Sequence, residues 1–285
     1  MPQDFTPELL ELVVKTSTEL PGDVRQALQH AKASAANAAE ASALATMLKN
    51  ADLAKERCLP ICQDTGTLLF YVKAPVGFDV PSFEKQASDA VAQATAMGVL
   101  RQNCVETLTG HNTGNNLGYG SPVFHWHFEK RDNLDVTLLL KGGGSENMGI
   151  QYSLPDKSLG AGRDLDGVRK CLLGAVVRAQ GMGCAPGILG VAIGGDRATG
   201  YEESKAQFLR RIGERNPVPE LAALEERVLR EANSLGIGPM GFGGKNTLLD
   251  VFIGARCRIP ASYFVSISYM CWCFRRQNTL ITLMT

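Results

Sequence analysis

Hydrophobic residues recur along this chain at two spacings, which predict helices in some segments and strands in others. Helical spacing predicts a helix from Thr6 onward and further helices over residues 23–48, 82–97, 164–180, 201–212 and 218–235. Short apolar or alternating runs predict strands over residues 67–73, 122–129, 135–141, 188–193, 248–255 and 261–269. We predict an α+β fold, with helices packed around short mixed sheets.

The composition is that of an ordinary globular protein. The 285 residues are 45% hydrophobic and 20% charged, enough for a large core in one big domain or two packed lobes. Lysine plus arginine equal aspartate plus glutamate at 29 each, so no overall charge favours nucleic acid or an anionic membrane. No apolar run reaches the roughly 18 residues of a membrane-spanning helix, and we find no secretion signal. We therefore expect a cytoplasmic protein that binds neither nucleic acid nor membrane.

Eight cysteines in a chain of this kind predict reduced thiols, some of them metal ligands, rather than disulfides. Three of them, Cys62, Cys184 and Cys271, lie in loops rich in glycine or proline or at the end of a predicted strand. Cys171 lies on the inner face of the predicted helix 164–180, so we expect it in the core.

The segment from Cys58 to Gly66 concentrates side chains suited to a ligand site. An amide, a carboxylate and a hydroxyl follow Cys62 directly, on Gln63, Asp64 and Thr65. Proline fixes the entry to a turn and glycine lets backbone approach a ligand. These residues alone fit an ordinary loop with buried thiols equally well.

Two further loops are rich in glycine, over residues 141–148 and 236–245. The three glycines at 142–144 predict a backbone cradle whose N–H groups face an anion, although the segment matches neither a P-loop nor the dinucleotide fingerprint. His125 and His127 share one side of a predicted strand, where they would bind a metal or lie on a half-exposed sheet face.

Five motifs occur in the order found in a known family. They are residues 62–66, residues 141–147, Cys184 with residues 194–195, residues 236–245, and residues 260–262 followed by Cys271 and Trp272. With these motifs the chain resembles the iron–sulfur hydro-lyases, specifically the α (N-terminal) part of class I fumarate hydratase and the α subunit of L-tartrate dehydratase. The resemblance covers an α-type, cluster-binding domain over residues 6–276. It leaves 277–285 as an atypical tail, as in a chain truncated before a β domain.

The resemblance implies that Cys62, Cys184 and Cys271 hold a [4Fe–4S] cluster, with their three loops converging on one cleft. Three thiolates for four irons leave one iron open to bind substrate as a Lewis acid. The residues alone also allow a structural zinc site, built from Cys58 with Cys62 and Cys271 with Cys273, although the spacings are loose.

The resemblance also implies substrate-binding residues. Gln63 and Asp64 are expected to contact the substrate, and Asp64 is the expected catalytic residue because it would order the proton-transfer groups. Arg101 is the candidate for a substrate carboxylate, since guanidinium offers it two parallel hydrogen bonds, and the backbone around Gly143 is expected to close on the substrate. Some relatives have a histidine where this chain has Ile259, so one substrate contact of the family is not expected here.

The predicted function is that of the cluster-binding part of a class I fumarate hydratase-like enzyme, which reversibly hydrates a small dicarboxylate (fumarate to malate). The alternatives are an L-tartrate dehydratase α subunit and a non-catalytic iron–sulfur subunit. The family completes its site with a β domain or subunit that brings further arginine, lysine and threonine side chains. We therefore expect a chain that is inactive alone and works in a homo- or hetero-oligomer.

Overall fold

Strands of this chain form two four-stranded sheets, with helices before and between the strands along the sequence. The computed structural model describes residues 3–284. The helices are α1 (Thr6–Thr18), α2 (Gly22–Ala33), α3 (Ala38–Arg57), α4 (Val80–Ala96), α5 (Gly143–Glu146), α6 (Leu165–Ala179), α7 (Arg197–Ala206) and α8 (Pro219–Ser234). The strands are β1 (Thr67–Pro75), β2 (Val123–Glu129), β3 (Asn133–Lys141), β4 (Ile150–Ser153), β5 (Gly187–Gly194), β6 (Leu248–Arg256), β7 (Phe264–Met270) and β8 (Arg275–Thr282). The predicted α+β class is confirmed.

The first of two compact units comprises residues 3–21, 49–143 and 273–284. Its sheet has the order β2-β1-β3-β8, with β1 and β2 parallel and the other neighbours antiparallel. Alternate residues of β1, including Leu68, Phe70 and Val72, enter the core, as the two-residue period of a strand requires. Helices α1 and α4 contribute Leu9 and Phe83 to the same core.

The second unit comprises residues 22–48 and 144–272. Its sheet has the order β4-β7-β5-β6, in which β5 and β6 are parallel and β7 is antiparallel to both β4 and β5. Every residue of β5 is buried, because helices cover both faces of this strand. On one face, a Cβ at Gly190 would lie 2.2 Å from the Ser204 carbonyl oxygen of α7. The core includes Cys171, which is fully buried as predicted.

The predicted single helix over residues 23–48 is wrong, because α2 ends at Ala33 and α3 begins at Ala38. Local side-chain hydrogen bonds explain the break. The Glu40 N–H donates to Asn37 Oδ1 at 2.9 Å, and the Ala36 N–H donates to Glu40 Oε2 at 2.6 Å. Side chains that satisfy backbone donors in this way start a new helix where alanine content alone favours continuation.

Strands β4 and β8 were not predicted. β8 pairs with β3 over its whole length, from Arg275 opposite Leu140 to Thr282 opposite Asn133. Residues 277–282 of the predicted atypical tail therefore belong to the first unit's sheet. β8 lies at the sheet edge and carries several polar residues, as edge strands often do. No helix in the part of the chain that the structure describes is long and apolar enough to cross a membrane.

Candidate active site

Cys62 lies in the first unit, in the loop that joins α3 to β1, and its thiol is half-buried. A hydrogen bond with the Cys273 side chain, the Arg275 guanidinium and the Asp64 N–H, which is 3.4 Å from Cys62 Sγ, together lower the pKa of Cys62 to about 6. Burial and the charge of Asp64 oppose this shift. Cys62 is therefore largely a thiolate at neutral pH, the form that binds metals.

The Asp64 carboxylate is fixed through both of its oxygens. Oδ1 accepts a hydrogen bond from Asn103 Nδ2 at 2.9 Å, and Oδ2 accepts one from the Gly143 N–H at 2.6 Å. The Asp64 carbonyl oxygen accepts a third bond, from Arg275 Nη2 at 2.7 Å. The glycine backbone that was predicted to face an anion thus faces a carboxylate of the chain itself.

Arg101 is held beside the Cys62 loop through its backbone. Thr65 Oγ1 donates to the Arg101 carbonyl oxygen at 2.7 Å and accepts from the Arg101 N–H at 2.8 Å. The buried Asn116 donates to the same carbonyl at 2.9 Å and accepts from the Asn103 N–H at 2.8 Å. The Arg101 residue is exposed. The first unit therefore brings Asp64, Arg101 and the Gly143 backbone together around the Cys62 loop.

Gly66 is required where this loop meets the end of β3. Its φ is +77°, and a Cβ would lie 2.4 Å from both the carbonyl carbon and oxygen of Lys141. Gly98 has the same φ of +77° with nothing within 4 Å of a Cβ. The two glycines have the same left-handed backbone conformation, but only at Gly66 does other backbone fill the space that a Cβ would take.

We expect Gly66→Ala to lower the free energy of unfolding by about 3 kcal/mol or more, because left-handed strain and steric overlap add. Gly98→Ala should cost only about 1 kcal/mol, from the strain alone. Urea unfolding followed by circular dichroism measures both. Equal losses in the two variants would contradict the close approach at Gly66.

Cys184 and Cys271 are brought together within the second unit. Cys184 has a left-handed φ of +56°, and its carbonyl oxygen accepts a hydrogen bond from the Trp272 N–H at 3.2 Å. This bond ties the Cys184 turn to the residue that follows Cys271, just beyond the end of β7.

Tyr269 lies close to both of these cysteines. Its ring fills the space beside Gly183 and Gly187, where a Cβ would approach it to 2.5 Å and 2.2 Å. Burial raises the pKa of Tyr269, and the charges of Cys271 and Cys184 raise it further. Its buried hydroxyl has no hydrogen-bond partner among residues 3–284. Tyr269 therefore stays neutral and presents an unused donor near the two thiols.

The glycine-rich loop 236–245 packs against the Cys184 turn. The Met240 N–H donates to the Ala185 carbonyl oxygen at 2.9 Å, and a Cβ at Gly181 would lie 2.4 Å from the Met240 carbonyl oxygen. At the far end of the loop, Glu40 Oε1 accepts the Lys245 N–H at 3.1 Å. Glu40, far away in sequence, thus anchors the loop that supports Cys184.

No set of three or more histidine, cysteine, aspartate or glutamate side chains within residues 3–284 is placed to hold one metal ion. The His125 ring stacks on the Tyr71 ring, with 4.5 Å between the ring centroids. Cysteines that hold an iron–sulfur cluster bind different iron atoms, so they need not surround a single ion. The donor chemistry suits a cluster, because Cys62 is a thiolate and thiolates are the ligands such clusters require.

Four residues of the first unit's site were not predicted: Asn103, Asn116, Cys273 and Arg275. Their contacts with the Cys62 loop and with Arg101 depend on chain folding over 15 to 211 positions. Asn116 ends a polar, turn-rich segment, residues 109–116, whose sequence fits a solvated loop as well as one that faces a ligand. Gln63 is exposed, and Ile259 is 68% exposed.

Comparison with known proteins identifies the family. The family model described as "Fumarate hydratase (Fumerase)" matches residues 6–279. A putative fumarate hydratase class I of Geobacillus stearothermophilus is 52% identical over 277 residues, which are 96% of this chain and 54% of the relative. The chain thus spans about half the length of that protein.

Two α subunits match over most of their length. A putative L(+)-tartrate dehydratase subunit alpha of Methanocaldococcus jannaschii is 34% identical over 96% of each chain. The L(+)-tartrate dehydratase subunit alpha of Escherichia coli K12 is 33% identical over 93% of this chain and 86% of its own. Together with the family match, these relatives confirm the predicted resemblance, and the chain belongs to the fumarate hydratase (Fumerase) family.

Proposed function

We propose that this chain is the cluster-binding part of a hydro-lyase that interconverts fumarate and malate. Cys62, Cys184 and Cys271 would hold a [4Fe–4S] cluster, which supplies a Lewis-acidic iron for the hydroxyl of the substrate when bound. The observation that carries the proposal is the Asp64 carboxylate, held by two N–H donors and two residues from the Cys62 thiolate. The 52% identity to a putative fumarate hydratase class I favours fumarate as the substrate.

The chain's own residues would bind and orient the substrate. The exposed Arg101, whose backbone is clamped by Thr65, would bind one carboxylate through two parallel N–H bonds. Asp64 accepts from donors on both oxygens, so its carboxylate stays in one orientation and would order the groups that transfer a proton. Gln63, exposed beside it, would donate to the substrate from its amide.

L-tartrate is the second candidate substrate, because two tartrate dehydratase α subunits match 86% or more of their own length. The chain would act with a β domain or subunit, in a homo- or hetero-oligomer of the cytoplasm.

Anaerobic assays of the complex with fumarate, malate, L-tartrate and mesaconate test the proposal. We expect the largest kcat/KM for fumarate or malate. A larger value for L-tartrate would favour the second candidate, and turnover of none of these acids would favour a non-catalytic iron–sulfur subunit.

We expect Asp64→Asn to lower kcat of the complemented enzyme by about 100-fold or more without loss of bound iron. An asparagine would turn an NH₂ group toward either Asn103 Nδ2 or the Gly143 N–H, so a donor would face a donor. Iron analysis on the same preparation separates turnover from cluster assembly.

Asp89→Asn is the matched control, because Asp89 forms an exposed ion pair with Lys85 at 3.2 Å, and such pairs contribute little. This variant should keep the kcat of the parent. An unchanged kcat in Asp64→Asn would show that Asp64 has a structural role alone.

A further inference from the structure

Arg275, the first residue of β8, carries a guanidinium that is buried and only partly satisfied. The residue is 1% exposed and is among the largest fully buried side chains. Nη2 donates to the Asp64 carbonyl oxygen at 2.7 Å. Nε and Nη1 are also buried, and neither has a hydrogen-bond acceptor among residues 3–284.

Such an arrangement is unfavourable unless an anion completes it. Arginine keeps its charge in proteins, so burial cannot be offset by loss of a proton. A buried charge with unfilled donors is strongly destabilising, and buried charges in proteins are paired. A neutral carbonyl oxygen is the single acceptor that the described chain provides. The two remaining donors therefore indicate an anion that is bound to the protein.

The position of Arg275 indicates which anion this is. Its Nη2 donates to the carbonyl oxygen of Asp64, a residue whose N–H lies 3.4 Å from Cys62 Sγ, and its guanidinium is closed off from solvent. A substrate that enters and leaves in every turnover needs a solvent-accessible partner. An anion that stays bound at Cys62 can be held by a side chain that solvent does not reach.

We propose that Arg275 donates hydrogen bonds from Nε and Nη1 to the anionic sulfur atoms of the cluster at Cys62. This inference rests on the proposed function. Hydrogen bonds to cluster sulfurs are a general means of setting the reduction potential. Arg275 is thus a positioning residue, which holds the Asp64 backbone with one nitrogen and retains the cluster with the other two.

Arg275→Met and Arg275→Lys test the proposal in the full chain, with three measurements. These are the urea unfolding of the cluster-free protein, the loss of iron to a chelator after anaerobic reconstitution, and the midpoint potential of the cluster. Arg131→Met is the control, because Arg131 belongs to the same unit and is satisfied by Asn133 and Glu129 at 2.6 to 3.0 Å.

We expect cluster-free Arg275→Met to be at least as stable as the parent, because methionine removes a buried guanidinium whose Nε and Nη1 have no acceptor among residues 3–284. The same variant should bind iron about 10- to 100-fold more weakly, with a midpoint potential shifted to more negative values. Lysine, which keeps the charge without the planar fork, should give an intermediate potential. Arg131→Met should lose stability in the cluster-free form and keep the parent's iron affinity and potential.

Three results would overturn the inference. In the first, Arg275→Met destabilises the cluster-free chain as Arg131→Met does and leaves iron affinity and potential unchanged, so Arg275 only supports Asp64. In the second, the cluster-free variant is as stable as the parent but iron affinity and potential are unchanged, so the unfilled donors bind an anion other than the cluster. In the third, the parent itself takes up no cluster, and the proposed function then fails together with the inference. The first two results leave the proposed function intact.

Discussion

Cys184→Ser protein is expected to retain at least about tenfold less iron than the parent after anaerobic reconstitution. Iron–sulfur clusters bind thiolates, and the hydroxyl of serine is a hard, protonated group at neutral pH. The effect should be large at Cys184 because its left-handed turn is fixed by the Trp272 N–H and by the Met240 N–H on the neighbouring residue. A rigid turn does not bring another donor into place. Cys62→Ser and Cys271→Ser should give the same result.

Colorimetric iron and sulfide analysis, with visible absorbance, measures the loss. Cys257→Ser and Cys58→Ser are the matched controls, since both thiols are exposed and neither is a proposed ligand. Both controls should bind as much iron as the parent. Full iron loading in Cys184→Ser would contradict the assignment of Cys184 as a cluster ligand. Loss of metal in Cys58→Ser would favour the structural zinc site.

Segments whose own residue pattern matches their burial and hydrogen bonding in the structure were predicted well. β5 reads as a short apolar run between glycines and is buried throughout, and α6 begins after Asp164, whose side chain accepts the Gly167 N–H at 2.7 Å. Elements that depend on distant partners were predicted poorly. β8 is polar and becomes a strand through pairing with β3. The break between α2 and α3 depends on Glu40, whose carboxylate is also engaged by Lys245 and Asn246.

The candidate site likewise contains residues that a local motif marks and residues that depend on distant partners. The motif Cys-Gln-Asp-Thr-Gly marks Cys62 and Asp64 because unusual residue types stand together in one turn. Arg275 could not be identified in this way, since an arginine in a polar segment indicates a solvated surface. The pairing of β8 with β3 places this buried side chain beside the backbone of Asp64, which lies 211 positions earlier in the chain. The motif therefore identifies the central residues of the candidate site, and the fold identifies the residues that contact them.

We expect this chain to depend on a β domain or subunit, for reasons that lie in the site residues. Removal of a proton from the substrate needs a base, and the second carboxylate of the substrate needs another cation. Both oxygens of Asp64 are engaged by Asn103 and Gly143, which makes this carboxylate a poor base. Arg101 would be occupied by the first carboxylate. We expect a β domain or subunit to supply both groups.

We therefore expect the reconstituted 285-residue chain to hydrate fumarate at a rate at least about 1000-fold below that of a complete enzyme, since a missing base and a missing cation each cost about 100-fold or more. Adding the remaining part of the Geobacillus relative, or a β subunit encoded with this chain, should restore turnover. Asp64→Asn in the same mixture should stay inactive, which ties the restored activity to this chain. Anaerobic absorbance assays of fumarate loss, with and without the partner, measure the difference. Turnover of roughly 1–1000 per second by the chain alone would contradict the expectation, because the base and the second cation would then have to come from its own residues.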